Sequence, residues 1–303
     1  MKAGLSAVAN KITHRLGVHL HRWPSDKHLL VEYPVRQKPR YGYGKPPHQQ
    51  ILAILDRHRG PFEKVLRGFT DIKALLDSIP VEAPERDSIQ PYWNSEWFGP
   101  RDAAALMYFI LQNKPRRFLE IGSGMSTKFA RAAISYGKLS TKITSIDPQP
   151  RKEINAICDN IVRNALQDVN LDLFDDLQAG DVLSFDGSHI LFMDSDVSVF
   201  FLDVLPRLKP GVLVHVHDIF WPVDYPPSWG TRFYAEQYML GELILAGEAK
   251  INIKLANAFI DFDPKLREAA RGLLPDDPAQ LTELSPGIQG PGLWASSFWF
   301  ETR

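Results

Sequence analysis

Apolar and polar positions along this chain follow two rhythms, and the change between them falls near residue 117. Upstream, apolar residues recur at helical spacing over His48–His58, Phe62–Ser78 and Arg101–Asn113, which predicts three helices, the first two separated by Gly60-Pro61. Residues 22–48 and 80–100 carry no period and are rich in proline and aromatic residues, so they predict extended or irregular chain. From 117 onward, short apolar runs alternate with helical stretches. Arg117–Ile121, Lys142–Ile146, Asn160–Arg163, Asp181–Phe185 and Val212–Val216 predict five strands. Before the fifth, Val197, Phe200, Phe201, Val204, Leu205 and Leu208 share one helical face, with Ser195 or Asp196 as cap. Such alternation predicts a parallel sheet with right-handed crossovers. A helix near Tyr234–Leu245 follows. Two late strands, Lys250–Ile260 and Trp294–Glu301, flank a helical insertion at Pro264–Leu274 and predict an antiparallel pair at one sheet edge. The expected organisation is a basic, Pro-rich and helical extension over 1–90 and an α/β domain over 91–303.

In an open parallel sheet, ligands sit beyond the carboxyl ends of the strands. The first strand runs into Gly122-Ser123-Gly124-Met125-Ser126-Thr127, and the second ends in Asp147. A small-residue turn lets a ligand approach the backbone closely, and a carboxylate on the next strand can grip ribose hydroxyls, so the pair predicts a nucleoside pocket. The turn disfavours a dinucleotide. Position 127 is threonine where Gly-x-Gly-x-x-Gly needs its third glycine, and the Glu120 carboxylate would repel a pyrophosphate. Glu120 suits a cationic ligand such as the ammonium of S-adenosylmethionine. Leu166, Gln167 and Asp168 follow the third strand, where an apolar side chain and an amide could hold an adenine edge.

The fourth strand delivers Asp186-Gly187-Ser188-His189 and the fifth His217-Asp218. Adjacent strands bring these four titratable groups to one rim, where they suit general-base work on a hydroxyl or a divalent metal. His215 shares a sheet face with His217 and is expected to be a buried neighbour.

Composition narrows the classes. One cysteine, Cys158, rules out an internal disulfide framework, makes a structural zinc site improbable and agrees with a reducing, cytoplasmic setting. No apolar run is long enough to span a bilayer, and the N-terminal residues lack the apolar core of a signal peptide. Residues 1–70 hold 13 Lys/Arg against 4 Asp/Glu, although the whole chain has a net charge of −1. This arm suits an acidic face of the same chain or an anionic partner. Leu5, Val8, Ile12 and Leu16 within it have the spacing of an amphipathic helix.

In order and spacing, Glu-Ile-Gly-Ser-Gly-Met-Ser-Thr (120–127), Ser-Ile-Asp-Pro (145–148), Asp-Val-Leu-Ser-Phe-Asp-Gly-Ser-His (181–189), Leu-Lys-Pro-Gly-Val-Leu-Val (208–214) and His-Val-His-Asp-Ile-Phe (215–220) resemble a class I S-adenosylmethionine-dependent methyltransferase. The likeness is to the bacterial branch that includes catechol- and macrocin-type O-methyltransferases. Tyr92–Phe98, Asp102-Ala-Ala and the terminal Ser-Phe-Trp-Phe (297–300) resemble the cofactor roof and last strand of that fold. The resemblance implies a Rossmann-like sheet with strands 1–5 parallel and the last pair antiparallel. It implies S-adenosylmethionine held by Glu120, Gly122, Ser123, Gly124, Ser126, Thr127, Asp147, Gln167 and Asp186, and O-methylation of a sugar or other polyhydroxylated small molecule or glycan. His189 or His217 would be the base, with Asp186 and Asp218 orienting it. Catechol-type relatives hold Mg²⁺ near the corresponding positions, which implies Asp186, His217 and Asp218 as ligands here. A histidine among them favours Mn²⁺, another transition metal or no metal. Two readings from other classes stand beside this one: a nicotinamide-dependent oxidoreductase, and a non-catalytic nucleoside-binding protein that uses its basic arm.

Overall fold

Seven strands form one sheet in the order β3-β2-β1-β4-β5-β7-β6. The structure, a computed structural model, describes residues 37–85, 87–95, 97–150, 152–274 and 295–303. The amphipathic spacing at 5–16 and most of the basic arm therefore lie outside the described residues, as does much of the late insertion. The strands are β1 (Arg117–Ile121), β2 (Lys142–Ile146), β3 (Asn160–Val162), β4 (Val182–Phe185), β5 (Leu213–Val216), β6 (Ile251–Ala256) and β7 (Phe298–Thr302). β1 to β5 pair in parallel, and β7 runs antiparallel between β5 and β6. Five of the predicted strands thus fall within a residue of their expected bounds; β1, β2, β4 and β5 are short apolar runs that the sheet buries, while β3 is an exposed edge strand.

Strand order reverses between β1 and β4, both of which leave the sheet at the same end. Glu120 pairs in register with Ser145 of β2 and Ser184 of β4, so the residues after Ile121, Ile146 and Phe185 all emerge along one edge. A crevice opens there because the crossovers from neighbouring strands depart in opposite directions.

Helices α1 (Gln49–Arg57), α2 (Arg59–Gly68), α3 (Lys73–Ser78), α4 (Pro100–Asn113) and α5 (Met125–Tyr136) precede β2. Their apolar residues join the sheet in one buried cluster: Ile51 and Leu55 from α1, Phe62 and Leu66 from α2, Phe118, Phe185 and Trp299 from the strands. Gly60-Pro61 does not separate two helices as expected. Both residues lie in the first turn of α2, where a proline has no hydrogen bond to lose, and the break falls at His58 instead. Gly68 lets α2 approach α4, since a Cβ there would meet the Tyr108 ring at 2.1 Å. α4 is buried from Pro100 to Ile110 and stops at Lys114, which takes a left-handed conformation with φ +46°.

After β4, Ser195 caps α6 (Asp196–Val199) by accepting a hydrogen bond from the Ser198 amide. The helical path continues through a π turn at Phe200–Val204 to a 3-10 turn holding Pro206. Phe200 stacks on Phe185 with ring centroids 4.1 Å apart. α7 is Glu236–Gly247. The predicted strand Lys250–Ile260 is cut short. The paired register with β7 ends at Ala256, and α8 (Asn257–Phe262) begins at Asn257, whose amide still donates to the Ser297 carbonyl at 3.0 Å while its side chain donates to Asp102. α9 (Pro264–Ala270) follows, capped by Asp263.

Candidate active site

A cavity of about 500 Å³ lies at the crevice, within the usual range for small-ligand sites. Gly122, Ser123, Gly124 and Ser126 form its floor, Asp147 and Gln167 one wall, and Asp186 another. Gly122 has φ +77°, and a Cβ on it would lie 1.8 Å from the Asp186 carbonyl oxygen, so the turn can pass under β4 only with glycine there. Gly124 is different. Its backbone is extended, and a Cβ would meet no atom within 4 Å, so this glycine leaves room rather than relieving strain.

Asp147 accepts hydrogen bonds at 2.9 Å from both the amide and hydroxyl of Ser123 and at 2.8 Å from the Gln149 amide. These fix the carboxylate at the cavity wall and leave it lone pairs for a ligand. Leu166 and Gln167 reach the cavity from a 3-10 turn after β3, and Asp168 does not. Glu120 and Thr127 sit behind the turn, off the cavity wall. The Thr127 hydroxyl donates to Glu120 Oε2 and accepts from the Gly124 amide at 3.0 Å, so it closes the turn. Burial pushes the Glu120 carboxyl up to about 8, against the hydroxyl hydrogen bonds that would lower it, and its Oε1 is buried without a partner.

The four titratable groups expected at one rim do meet there. His189 Nε2 lies 3.5 Å from Asp186 Oδ1 and 3.7 Å from Asp218 Oδ2. His217 Nδ1 lies 3.6 Å from Asp186 Oδ1 and 3.5 Å from Asp218 Oδ1. Both His189 and Asp218 have left-handed backbones, with φ +66° and +55°, a conformation that is uncommon outside glycine and concentrates at functional sites.

The two imidazoles have different surroundings. His217 is buried under Phe98, with ring centroids 5.0 Å apart, and its Nε2 is 3.4 Å from Asp102 Oδ2. Burial opposes charge on this ring, but Asp186, Asp218 and Asp102 outweigh it and raise its pKa well above the ordinary histidine value. The same pairing holds Asp186 below the usual carboxylate range in spite of burial. His189 Nδ1 lies 2.9 Å from Glu236 Oε1. Here too burial opposes charge, and the Glu236 hydrogen bond with the nearby carboxylates takes the imidazole up to about 9. His215 is fully buried between the Ser184 and Ser297 hydroxyls, each 2.8 Å away, and burial pushes it down to about 3, so it is a neutral part of the core.

A metal does not fit this rim. Among the described residues, no group of three or more His, Cys, Asp or Glu side chains could hold a metal ion. Asp186, His217 and Asp218, the expected ligand set, form ion pairs instead. His217 Nδ1 lies 3.6 and 3.5 Å from the two rim carboxylates and its Nε2 3.4 Å from Asp102, so both ring nitrogens are already engaged.

Two acidic residues beside the site carry contacts the sequence did not assign: Asp102, placed there only in a motif resembling the cofactor roof, and Glu236. Asp102 is the single acid in a helix otherwise buried over two turns, and that isolation is a readable sign of a buried partner. Glu236 opens α7, where acidic residues are common for the helix dipole alone, so the sequence carries no mark of its contact with His189.

Residues 119–219 match the model of a family described as a methyltransferase domain. No curated protein matches the chain. Among solved structures, the chain is similar to the S-adenosylhomocysteine-bound methyltransferase PaMTH1 of Podospora anserina, with 13% identity and a TM-score of 0.34 over 50% of this chain and 71% of that one. It is also similar to the MycE methyltransferase of the mycinamycin pathway, solved with Mg, S-adenosylhomocysteine and mycinamycin VI, with 18% identity and a TM-score of 0.35 over 52% of this chain and 47% of that one. The chain thus spans just under half of MycE, and at this level of likeness the chemistry of one protein says nothing of the other. The strand order is that of a Rossmann-like sheet, and the stretch that resembles a methyltransferase domain runs from β1 to just past β5. No helix among the described residues is long and apolar enough to cross a membrane.

Proposed function

We propose that the chain transfers a methyl group from S-adenosylmethionine to a hydroxyl of a sugar or other polyhydroxylated small molecule, with His189 as the base. The observation that carries this reading is the meeting of two features at one edge: a cavity walled by Asp147 and Gln167, and a His/carboxylate rim that shares Asp186 with it. When bound, the cofactor supplies an electrophilic methyl on a sulfonium. Asp147 suits the ribose hydroxyls, Gln167 the adenine edge, and the open space over Gly124 the methionine part.

His189 is the better placed base. Both imidazoles face three carboxylates, but both nitrogens of His217 are taken up by them, whereas His189 is held at Nδ1 by Glu236 and its Nε2 faces the wider gap between Asp186 and Asp218. A hydroxyl in that gap gives its proton to Nε2 as its oxygen takes the methyl, and the S–C electron pair stays on sulfur. His217 helps to keep Asp186 in its ionised form. The base works only when unprotonated, so turnover should rise with pH until His189 has lost its proton, near 9.

His189→Asn tests the assignment without adding strain, because asparagine tolerates a left-handed backbone. With S-adenosylmethionine and a panel of glycosides and phenols, the expected result is a fall in turnover of about 100-fold or more with cofactor affinity unchanged. Wild-type turnover in this variant would remove His189 from the chemistry.

A further inference from the structure

We infer that Glu236 is a positioning residue that fixes the tautomer and orientation of His189, so that Nδ1 carries the hydrogen and Nε2 is the nitrogen left to take a proton. The inference rests on the methyl-transfer reading only for what Nε2 does next. Glu236 is fully buried, and its Oε1 is 2.9 Å from Nδ1. Burial raises the Glu236 carboxyl to about 7; above that pH it is ionised and can only accept, so the hydrogen between them belongs to the imidazole. The other ring nitrogen then faces Asp186 and Asp218 at 3.5 and 3.7 Å, the distances of a gap rather than of closed hydrogen bonds.

Two further contacts from the same short segment hold the ring. The Ala235 amide donates to the His189 carbonyl at 2.7 Å. The Tyr234 ring lies over the imidazole, with centroids 4.3 Å apart and planes 30° from parallel. Three consecutive residues therefore grip His189 by its ring face, its backbone and its Nδ1, and together they support the left-handed backbone at φ +66°. The groups facing His189 from the surrounding elements are Glu236 and Tyr234 from the start of α7, Asp186 after β4 and Asp218 after β5. His217 lies beyond the two aspartates, Arg232 flanks Tyr234, and Tyr225 flanks Glu236. Of these, Glu236 alone approaches Nδ1.

The test reads the ring directly. In the full chain with ¹⁵N-labelled histidine and no cofactor, NMR above the pH at which His189 loses its proton should find the hydrogen on Nδ1. Glu236→Leu should move it to Nε2, and Glu236→Gln, which keeps an acceptor, should leave it on Nδ1. With S-adenosylmethionine and an acceptor that the wild type turns over, Glu236→Leu should lower kcat about 100-fold while KM for the cofactor stays within twofold. A hydrogen on Nε2 in the wild type overturns the inference, and that measurement needs no variant to fold. Because the tautomer is read without cofactor, absent methyl transfer leaves the tautomer result intact, whereas a hydrogen on Nε2 would remove that nitrogen as the base and leave the cofactor cavity untouched.

Discussion

Glu120 stands two residues before Gly122 and is sealed from solvent, with the Thr127 hydroxyl as partner for one oxygen. Burial raises its pKa from the ordinary 4.5 to about 8. A group whose pKa is higher folded than unfolded stabilises the fold fully below its unfolded value, and that contribution is lost as pH rises through the folded value. The wild type should therefore lose stability on this account between about pH 4.5 and 8. Glu120→Gln, which cannot ionise, should gain on the wild type by a few kcal/mol from pH 5 to pH 9 at roughly 1.4 kcal/mol per pKa unit. Denaturation curves at the two pH values check this, and a difference independent of pH would show that Glu120 ionises freely in the fold. Gly122, Ser123, Gly124, Asp147 and Gln167 were all legible in the sequence as cavity residues, because each follows an apolar run whose end fixes where the chain leaves the sheet. Glu120 and Thr127 stood in the same motif, yet they turn inward. Sequence spacing places a residue at a strand end without saying which way its side chain goes.

At the scale of elements, Asp102 is the joint between α4 and the carboxyl-end edge of the sheet. Its carboxylate accepts from the amides of Ser296 and Ser297 at 3.0 and 2.8 Å and from the Asn257 side chain at 2.7 Å, and it faces His217. One side chain thus ties α4 to the residues before β7, to the start of α8 and to the end of β5. Asp102→Ala would leave three donors and part of a buried cation without their acceptor. We expect a loss of about 3–5 kcal/mol in urea unfolding, the range for breaking a buried charged pair from one side. A loss under about 1 kcal/mol would mean that the neighbouring elements hold their places without it. The sequence showed the strands better than their ends. β1 and β2 were read residue for residue, because period and length agree. The late strand was read too long because Ala258, Phe259 and Ile260 are apolar and read alike in a strand or a short helix. The contact of Asn257 with Asp102, 155 residues away, fixes the start of that helix in the fold and leaves no trace in the local pattern.

Across the whole molecule, the parallel sheet brings residues from distant segments to one edge, and the fold class was readable from the alternation of strands and helices alone. The rim of Asp186, His189, His217 and Asp218 was readable too, since it follows from the adjacency of β4 and β5. Glu236 was not, because it arrives from a helix 47 residues beyond His189 with no periodic signal tying the two. The account rests on the cavity over Gly124 being a site for S-adenosylmethionine. Titration calorimetry of the folded chain with S-adenosylhomocysteine tests this most directly. The account predicts saturable binding at one site per chain, weakened at least tenfold by Asp147→Ala. No heat of binding from folded wild-type protein would contradict it.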